Sequence, residues 1–302
     1  MKPLLCYTSL MHTLPVFEMF KVLVIGIVEG ITEWLPVSST GHMLIVDAFL
    51  PMNMSAEFKS LFFIVIQLAA VCAVIILFWN RMFPFGLGQS AENASGGSSN
   101  VLSKKIIVRK DIFSLWFKTV AACIPGAVAV FAADDFIEEH LHGPVVIACA
   151  LIFYGIVFIV IENINKKREA RINDLRGIDY KTAFIIGLFQ VLSIIPGTSR
   201  SGATIIGALL IGVSRTAAAE FTFFLAVPVM IGSSLLKLLK YEGLLSGAEL
   251  SVLAVGCITA FIVSLAAVKF LMSYIKKHDF KIFGFYRIAL GLIVLLLLGF
   301  IR

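Results

Sequence analysis

"EGITEWLPVSSTGH" (residues 29–42) interrupts a run that otherwise reads as membrane core, with "FKVLVIGIV" before it and "MLIVDAFL" after it. The stretch carries Glu29, Glu33, His42, a proline and the hydroxyls of Thr32, Ser38, Ser39 and Thr40. Lipid solvates such groups badly, so the fold must give them another environment.

Composition sets the frame. The chain has 302 residues, 59% hydrophobic and only 15% charged, and its mean hydropathy is +0.98. A soluble domain of this length has too little interior for so much apolar surface, so the chain reads as a polytopic membrane protein. The net charge of +6 gathers in short loops between apolar runs, the positive-inside signature. No basic stripe interleaved with aromatics appears, which excludes nucleic acid as a partner. Of the cysteines, Cys72, Cys123, Cys149 and Cys257 lie in apolar segments without metal-ligand spacing and read as small buried hydrophobes, and Cys6 lies near the N-terminus.

Six segments read as plain spanning helices: 59–80, 112–132, 144–162, 217–239, 250–273 and 283–301. Each supplies the roughly 20 residues that a ~30 Å hydrocarbon core requires. Residues 21–50 and 181–212 differ, because Pro36 and Pro196 break them. Proline disfavours helix at the preceding residue, so the first arms should end near Leu35 and Ile195. An arm of some 15 residues reaches only about 22 Å and cannot cross. A re-entrant hairpin with its tip buried in protein solves this; the alternative is one kinked spanning helix per stretch.

The two broken stretches resemble each other. In "GIVEGITEWLPVSSTG" and "GLFQVLSIIPGTSRSG", Gly26 aligns with Gly187, Glu29 with Gln190 and, after a one-residue gap, Pro36 with Pro196 and Ser39 with Ser199. The expected fold is therefore an all-α polytopic membrane protein built as an inverted-topology repeat. Each half holds a broken-helix hairpin and three spans: residues 21–162, then a loop at 163–180, then residues 181–302. Residues 1–20 read as an N-terminal extension and 88–100 as a flexible linker. Basic loops at 81–111, 163–181 and 274–282 should be cytoplasmic, and the acidic loop at 133–143 outside. Both termini then lie outside, with hairpin one entering from outside and hairpin two from the cytoplasm. Crossing hairpins would leave the middle loops the same pattern, so charge does not decide re-entry.

Leaving Glu29, Glu33, His42 and Arg200 unpaired at membrane depth would cost on the order of 10 kcal/mol, so they should face one another or a wet cavity. Glu29 and Glu33 are four apart on one helix face, and a divalent cation, a shared proton or Arg200 must neutralise them. Mg²⁺ or Ca²⁺ suits two carboxylates beside a phosphate. Glu18 and Asp47 lie near the hairpin's ends and read as interfacial. One of Ser38, Ser39 and Thr40 can cap the second arm; a remaining serine near His42 supplies the parts of an activated nucleophile. "PGTSRSGAT" (196–204) puts Thr198, Ser199, Arg200, Ser201 and Thr204 at a helix start, with Gly197 and Gly202 allowing close backbone approach. Free N–H groups, a positive dipole end and an arginine fork together describe a phosphate cradle. A phosphate site below headgroup level suits a lipid phosphate, whose tail stays in the bilayer.

These two motifs resemble the signatures of the bacterial undecaprenyl-diphosphate phosphatases, the bacitracin-resistance type. "QLAAVCAVIILFW" (67–79), "FTFFLAVPVMIG" (221–232) and "KFLMSYIKKHDFKIFGFYRIALG" (269–291) are similar to the family too. The likeness covers roughly residues 20–302. It implies an inner-membrane enzyme that hydrolyses undecaprenyl diphosphate, recycles the lipid carrier for peptidoglycan, uses Mg²⁺ or Ca²⁺ and works from the outer face. By motif position, Glu29 and Glu33 are its acidic pair and metal ligands, Ser39 the nucleophile, His42 the acid/base and Arg200 the phosphate clamp. Ser38, Thr40, Ser199, Ser201, Gly202 and Thr204 assist in binding. The expected partners are a C55 polyprenyl diphosphate and the bilayer, with a homodimer left open. A secondary transporter or lipid flippase is the rival class, since broken helices in inverted repeats serve both. An acid-phosphatase type of lipid phosphatase needs a histidine where this chain has Ile206.

Overall fold

A computed structural model describes residues 16–90, 103–141, 143–241 and 243–300. The expectations for residues 1–15, for 91–100 of the linker and for His142 lie outside the described residues. In chain order the helices are α1 (Val16–Thr32), α2 (Ser39–Phe49), α3 (Ala56–Leu77), a short α4 (Trp79–Met82), α5 (Lys110–His140), α6 (Pro144–Asn165), α7 (Tyr180–Val191), α8 (Arg200–Leu210), α9 (Arg215–Lys240), α10 (Gly247–Ile275) and α11 (Lys281–Phe300). Among the described residues six helices are long and apolar enough to cross a membrane: α3, α5, α6, α9, α10 and α11. The chain is an all-α polytopic membrane protein with one small addition. Between α4 and α5, β1 (Phe85–Ser90) and β2 (Ser103–Val108) pair as an antiparallel ribbon, with Phe85 opposite Val108. The sequence reading had only loop and linker there, although "KIIV" is rich in β-branched residues.

Caps set the helix starts. Ser55 accepts from the Phe58 N–H (3.1 Å) ahead of α3. Ser214 accepts from the Ala217 N–H (3.3 Å) ahead of α9. Ser246 and Glu249 form a reciprocal capping box on α10. Two expected boundaries move. Helix α1 begins at Val16, so residues 16–20 belong to it and not to an extension. Helix α5 continues to His140, so most of the expected acidic loop is its last turns.

The two proline-broken stretches are α1–α2 and α7–α8, with arms of 17, 11, 12 and 11 residues. At 1.5 Å per residue these reach only about 17–25 Å. Each stretch doubles back until its ends touch. Lys21 near the start of α1 donates to the Pro51 carbonyl beyond α2 (2.7 Å), and Glu18 accepts from Asn53 Nδ2 (3.0 Å). Glu18 is thus buried and paired with Lys21 (2.7 Å). In the second stretch the Arg171 N–H donates to the Gly212 carbonyl and the Ser214 N–H to the Ile172 carbonyl, both at 2.8 Å. One long kinked helix per stretch does not fit these contacts.

The arms pack across the molecule. Helix α1 lies against α10 and α7 against α5, while α6 pairs with α11 and α3 with α9. Two glycines permit these approaches. A Cβ on Gly30 would fall 2.8 Å from the Ala260 carbonyl oxygen, and one on Gly187 would fall 2.2 Å from that of Ala122. Trp34, just after α1, is fully buried and stands edge-on to Phe223 of α9, with centroids 5.4 Å apart. The main core thus wraps the two breaks, with Phe158, Phe221, Phe224 and Phe280 around them.

Candidate active site

Both breaks end in the same local device. Ser38 (φ 73°) and Ser199 (φ 70°) sit in the left-handed region, which side chains rarely adopt, and cap α2 and α8. Their hydroxyls accept from Gly41 N–H (3.4 Å) and Gly202 N–H (3.2 Å). Ser38 is therefore the cap among the three candidates, and it matches Ser199. The sequence alignment had put Ser39 there; by cap geometry Ser39 corresponds to Arg200, because the extra residue of the second break follows its proline.

These tips meet around one carboxylate. Glu33, one turn after Glu29, accepts from Ser39 Oγ at Oε2 (3.2 Å) and from Arg200 Nη2 at Oε1 (3.1 Å). Its backbone carbonyl accepts from Ser201 Oγ (3.4 Å). Both side chains of the ion pair are nearly buried, 12% exposed for Arg200 and 7% for Glu33. Arg200 also makes a long contact from Nη1 to the Thr222 carbonyl (3.4 Å), and its Nε is buried with no acceptor. A buried unpaired donor on a guanidinium marks a place where an oxygen belongs.

A cavity of about 180 Å³ opens here, lined by Glu33, Ser38, Ser39, Thr40, Ser199, Arg200 and Ser201. That is smaller than the ~300–1,000 Å³ of common small-molecule sites, so it has room for a small polar group only. Thr32 lines it too, and Gln67, Ser193 and Ser233 add polar lining that the sequence reading did not single out. Gln67 was the findable one, a lone amide within the apolar α3.

The remaining expected site residues lie off the cavity lining. Glu29 is 1% exposed, and its Oε1 has no hydrogen-bond partner. Thr204 bonds within α8, to the Arg200 carbonyl (3.0 Å), and to Thr222 Oγ1 (2.8 Å). Gly202 is buried where a Cβ would meet Arg287 Nη1 at 2.9 Å. His42 is held on both nitrogens, Nδ1 by the Ser38 carbonyl and Nε2 by the Tyr286 hydroxyl, each at 2.7 Å. A carbonyl only accepts, so Nδ1 carries a proton and donates to Ser38, while the Tyr286 hydroxyl can either donate to Nε2 or accept from it.

Arg287 is the residue that sequence reasoning missed. It is 0% exposed and bonds to the Pro36 carbonyl of the first break (3.2 Å) and to the Gly197 (2.8 Å) and Thr198 (2.7 Å) carbonyls of the second. Tyr154 and Phe158 lie against its guanidinium, each centroid 5.9 Å away. One cation thus ties both tips together. Its signal was a lone arginine inside the apolar "GFYRIALG".

The bacitracin resistance protein BacA family matches residues 22–293, which contain both tips and Arg287. The chain belongs to this family. Its relatives include proteins named undecaprenyl-diphosphatase from Enterococcus faecalis (60% identical over 93% of this chain and 97% of the relative) and from Lachnoclostridium phytofermentans (54%, over 92% and 96%). One from Desulfitobacterium hafniense is 52% identical over 92% of this chain and 95% of its own. The family match spans every helix from α2 to α10 and all cavity-lining residues.

Proposed function

We propose that this protein is an integral membrane phosphatase of the bacterial plasma membrane. It hydrolyses undecaprenyl diphosphate to undecaprenyl phosphate and inorganic phosphate. This recycles the lipid carrier for peptidoglycan synthesis and confers resistance to bacitracin. The observation that carries the reading is Glu33, hydrogen-bonded to Ser39 on one side and to Arg200 on the other, where two broken helices meet. The unpaired Arg200 Nε and the α8 N-terminus suit a terminal phosphoryl group.

In this reading Arg200 binds the terminal phosphoryl and stabilises the charge that develops on it. Ser39 Oγ attacks phosphorus and gives its proton to Glu33, which the 3.2 Å hydrogen bond favours over His42. The Oγ–P bond forms as the bridging P–O bond breaks, and the lipid monophosphate leaves with the electron pair and the proton from Glu33. A water then attacks the phosphoserine and loses its proton to Glu33, which returns one to Ser39 Oγ as phosphate departs. His42, committed to Ser38 and Tyr286, positions the serine tip.

Glu29 and Glu33 fit a divalent cation such as Mg²⁺ or Ca²⁺, since Glu29 Oε1 is a buried acceptor without a partner and Glu33 adds a second carboxylate. Among the described residues no cluster of three His, Cys, Asp or Glu forms, so phosphate oxygens and water would complete the shell, as is usual for Mg²⁺. Bound there, the cation would neutralise diphosphate charge. Ser38, Thr40, Ser199 and Ser201 line the headgroup space.

The matching caps and the crossed packing of α1 on α10 and α7 on α5 support two inverted halves with re-entrant hairpins. With the basic loops in the cytoplasm, hairpin one enters from outside and the site opens there. The test is phosphate release from a C55 polyprenyl diphosphate by the purified protein, with and without chelator. Release that depends on a divalent cation is expected, and no release with the cation present overturns the assignment. An active enzyme that yields no trapped phosphoserine overturns serine attack in favour of water.

A further inference from the structure

A cavity larger than the one at the tips lies elsewhere in the molecule. A groove of about 1,250 Å³ lies at the open base of the second broken stretch, between α7 and α8 and under the loop that precedes them. Lys181 and Ile185 of α7, Leu209 and Leu210 of α8, Arg168 and Arg171 of the loop, and Lys276 at the end of α10 line it.

Its floor is fixed. Glu162 at the end of α6 is fully buried and holds Arg215, with contacts of 2.9 and 3.1 Å from Nε and 2.5 Å from Nη2. Glu162 also accepts from the Phe280 N–H (3.0 Å), which ties the start of α11 to the same point. The loop is pinned by backbone bonds to Gly212, and Asn165 donates to the Leu209 carbonyl (3.1 Å).

Its rim is unbalanced in charge. Arg168, Arg171, Lys181 and Lys276 are exposed, and among the described residues none of them forms an ion pair. The acidic side chains facing them are Glu169 and Asp179, and Asp179 is occupied in capping α7 through the Thr182 N–H (2.7 Å). Apolar side chains continue from the groove outward: Leu210 is 41% exposed, and Phe184 and Leu188 stand on the outer face of α7. A cationic rim above an apolar wall matches an amphiphile with an anionic head.

We propose that this groove binds the headgroup of an anionic diacyl phospholipid, with its phosphodiester among Arg168, Arg171, Lys181 and Lys276 and its acyl chains along α7 and α8. Such basic pockets between spanning helices suit anionic headgroups. The groove spans the feet of the two arms whose tip carries Ser199 and Arg200, so the lipid would brace that hairpin from below. The inference does not depend on the hydrolytic reaction.

The test uses the full-length protein, delipidated in detergent. Phosphatidylglycerol, phosphatidylcholine with the same acyl chains, and inorganic phosphate are added separately, with retention read by native mass spectrometry and protection by thermal unfolding. The wild type should prefer phosphatidylglycerol. Arg171→Gln with Lys276→Gln should weaken that preference by about fivefold for each cation removed. These side chains are exposed and the loop is held by backbone bonds, so the variant folds. Lys237→Gln with Lys240→Gln, at the opposite end of α9, should leave the preference intact. Equal retention of phosphatidylcholine, or an unchanged preference in the first variant, overturns the proposal. An equal loss in the α9 variant also overturns it, since net charge alone would then be acting. Protection by inorganic phosphate equal to that by phosphatidylglycerol would assign the groove to a soluble anion and overturn the lipid assignment.

Discussion

Arg200→Lys separates geometry from charge at the tip. The arginine spends Nη2 on Glu33 at 3.1 Å and keeps a buried Nε without an acceptor. Two edges of one rigid group can therefore hold the carboxylate and a phosphoryl oxygen at once. A lysine offers one nitrogen on a flexible stem and must divide it between them. The substitution keeps the charge, so attraction of the diphosphate survives, but at least one charge-assisted hydrogen bond in the transition state is lost. Such a bond contributes about 1.5–3 kcal/mol, which corresponds to a roughly 10- to 150-fold fall in turnover. Two lost bonds would multiply to about 10²–10⁴-fold, close to abolition. The assay is phosphate release from purified enzyme at saturating polyprenyl diphosphate, with thermal unfolding measured alongside. Turnover should collapse while the unfolding midpoint shifts little, since among the described residues Arg200 makes a single ion pair, at a cavity wall. A lysine variant with more than half of wild-type turnover would refute the fork and leave Arg200 as a charge that anchors Glu33.

Arg287→Met removes the cation that holds three tip carbonyls, and a displacement of ~1 Å at a reacting centre costs about 100-fold. Phosphate release should fall by that order, and unchanged release and unfolding would show that the tips are held otherwise. Gly187→Ala drives a Cβ to 2.2 Å from a backbone oxygen of α5 and should destabilise by about 1–3 kcal/mol on thermal unfolding. Gly232→Ala, with open space around it, is the matched control and should be neutral or slightly stabilising. Chelation of divalent cations should stop turnover reversibly, and Glu29→Gln should raise the cation concentration needed to restore it, as read in a titration of activity.

The breaks and the spans were legible because they follow from local chemistry. Pro36 and Pro196 are each followed by a run of glycine and hydroxyl residues that ends the helix, whereas α5 and α9 carry Pro125 and Pro228 within them, and runs of about 20 apolar residues have one use in a chain this hydrophobic. The ion pair of Glu33 with Arg200 was legible too, since two lone charges at membrane depth need each other. What escaped depended on partners far along the chain. Nothing near His42 in the sequence shows that the hydroxyl of Tyr286, 244 residues on, bonds to its Nε2. The cap was ambiguous among three adjacent hydroxyls until the backbone at Ser38 was seen to turn left-handed. Arg287 looked like an ordinary residue of a C-terminal span, since its acceptors are backbone carbonyls that carry no side-chain signature.

The crossed packing of the arms bears on how the protein is made. Ser264 of α10 donates to the Gly30 carbonyl of α1 across 234 residues of sequence. The groove that accepts α1 does not exist until most of the chain has left the ribosome. Until then the first arm has only α2 and α3 of its native neighbours, and packing that waits on such distant sequence favours slow assembly. A truncated product ending before α10 would be stranded in that state, so early termination should yield a substrate for membrane proteases instead of a working half.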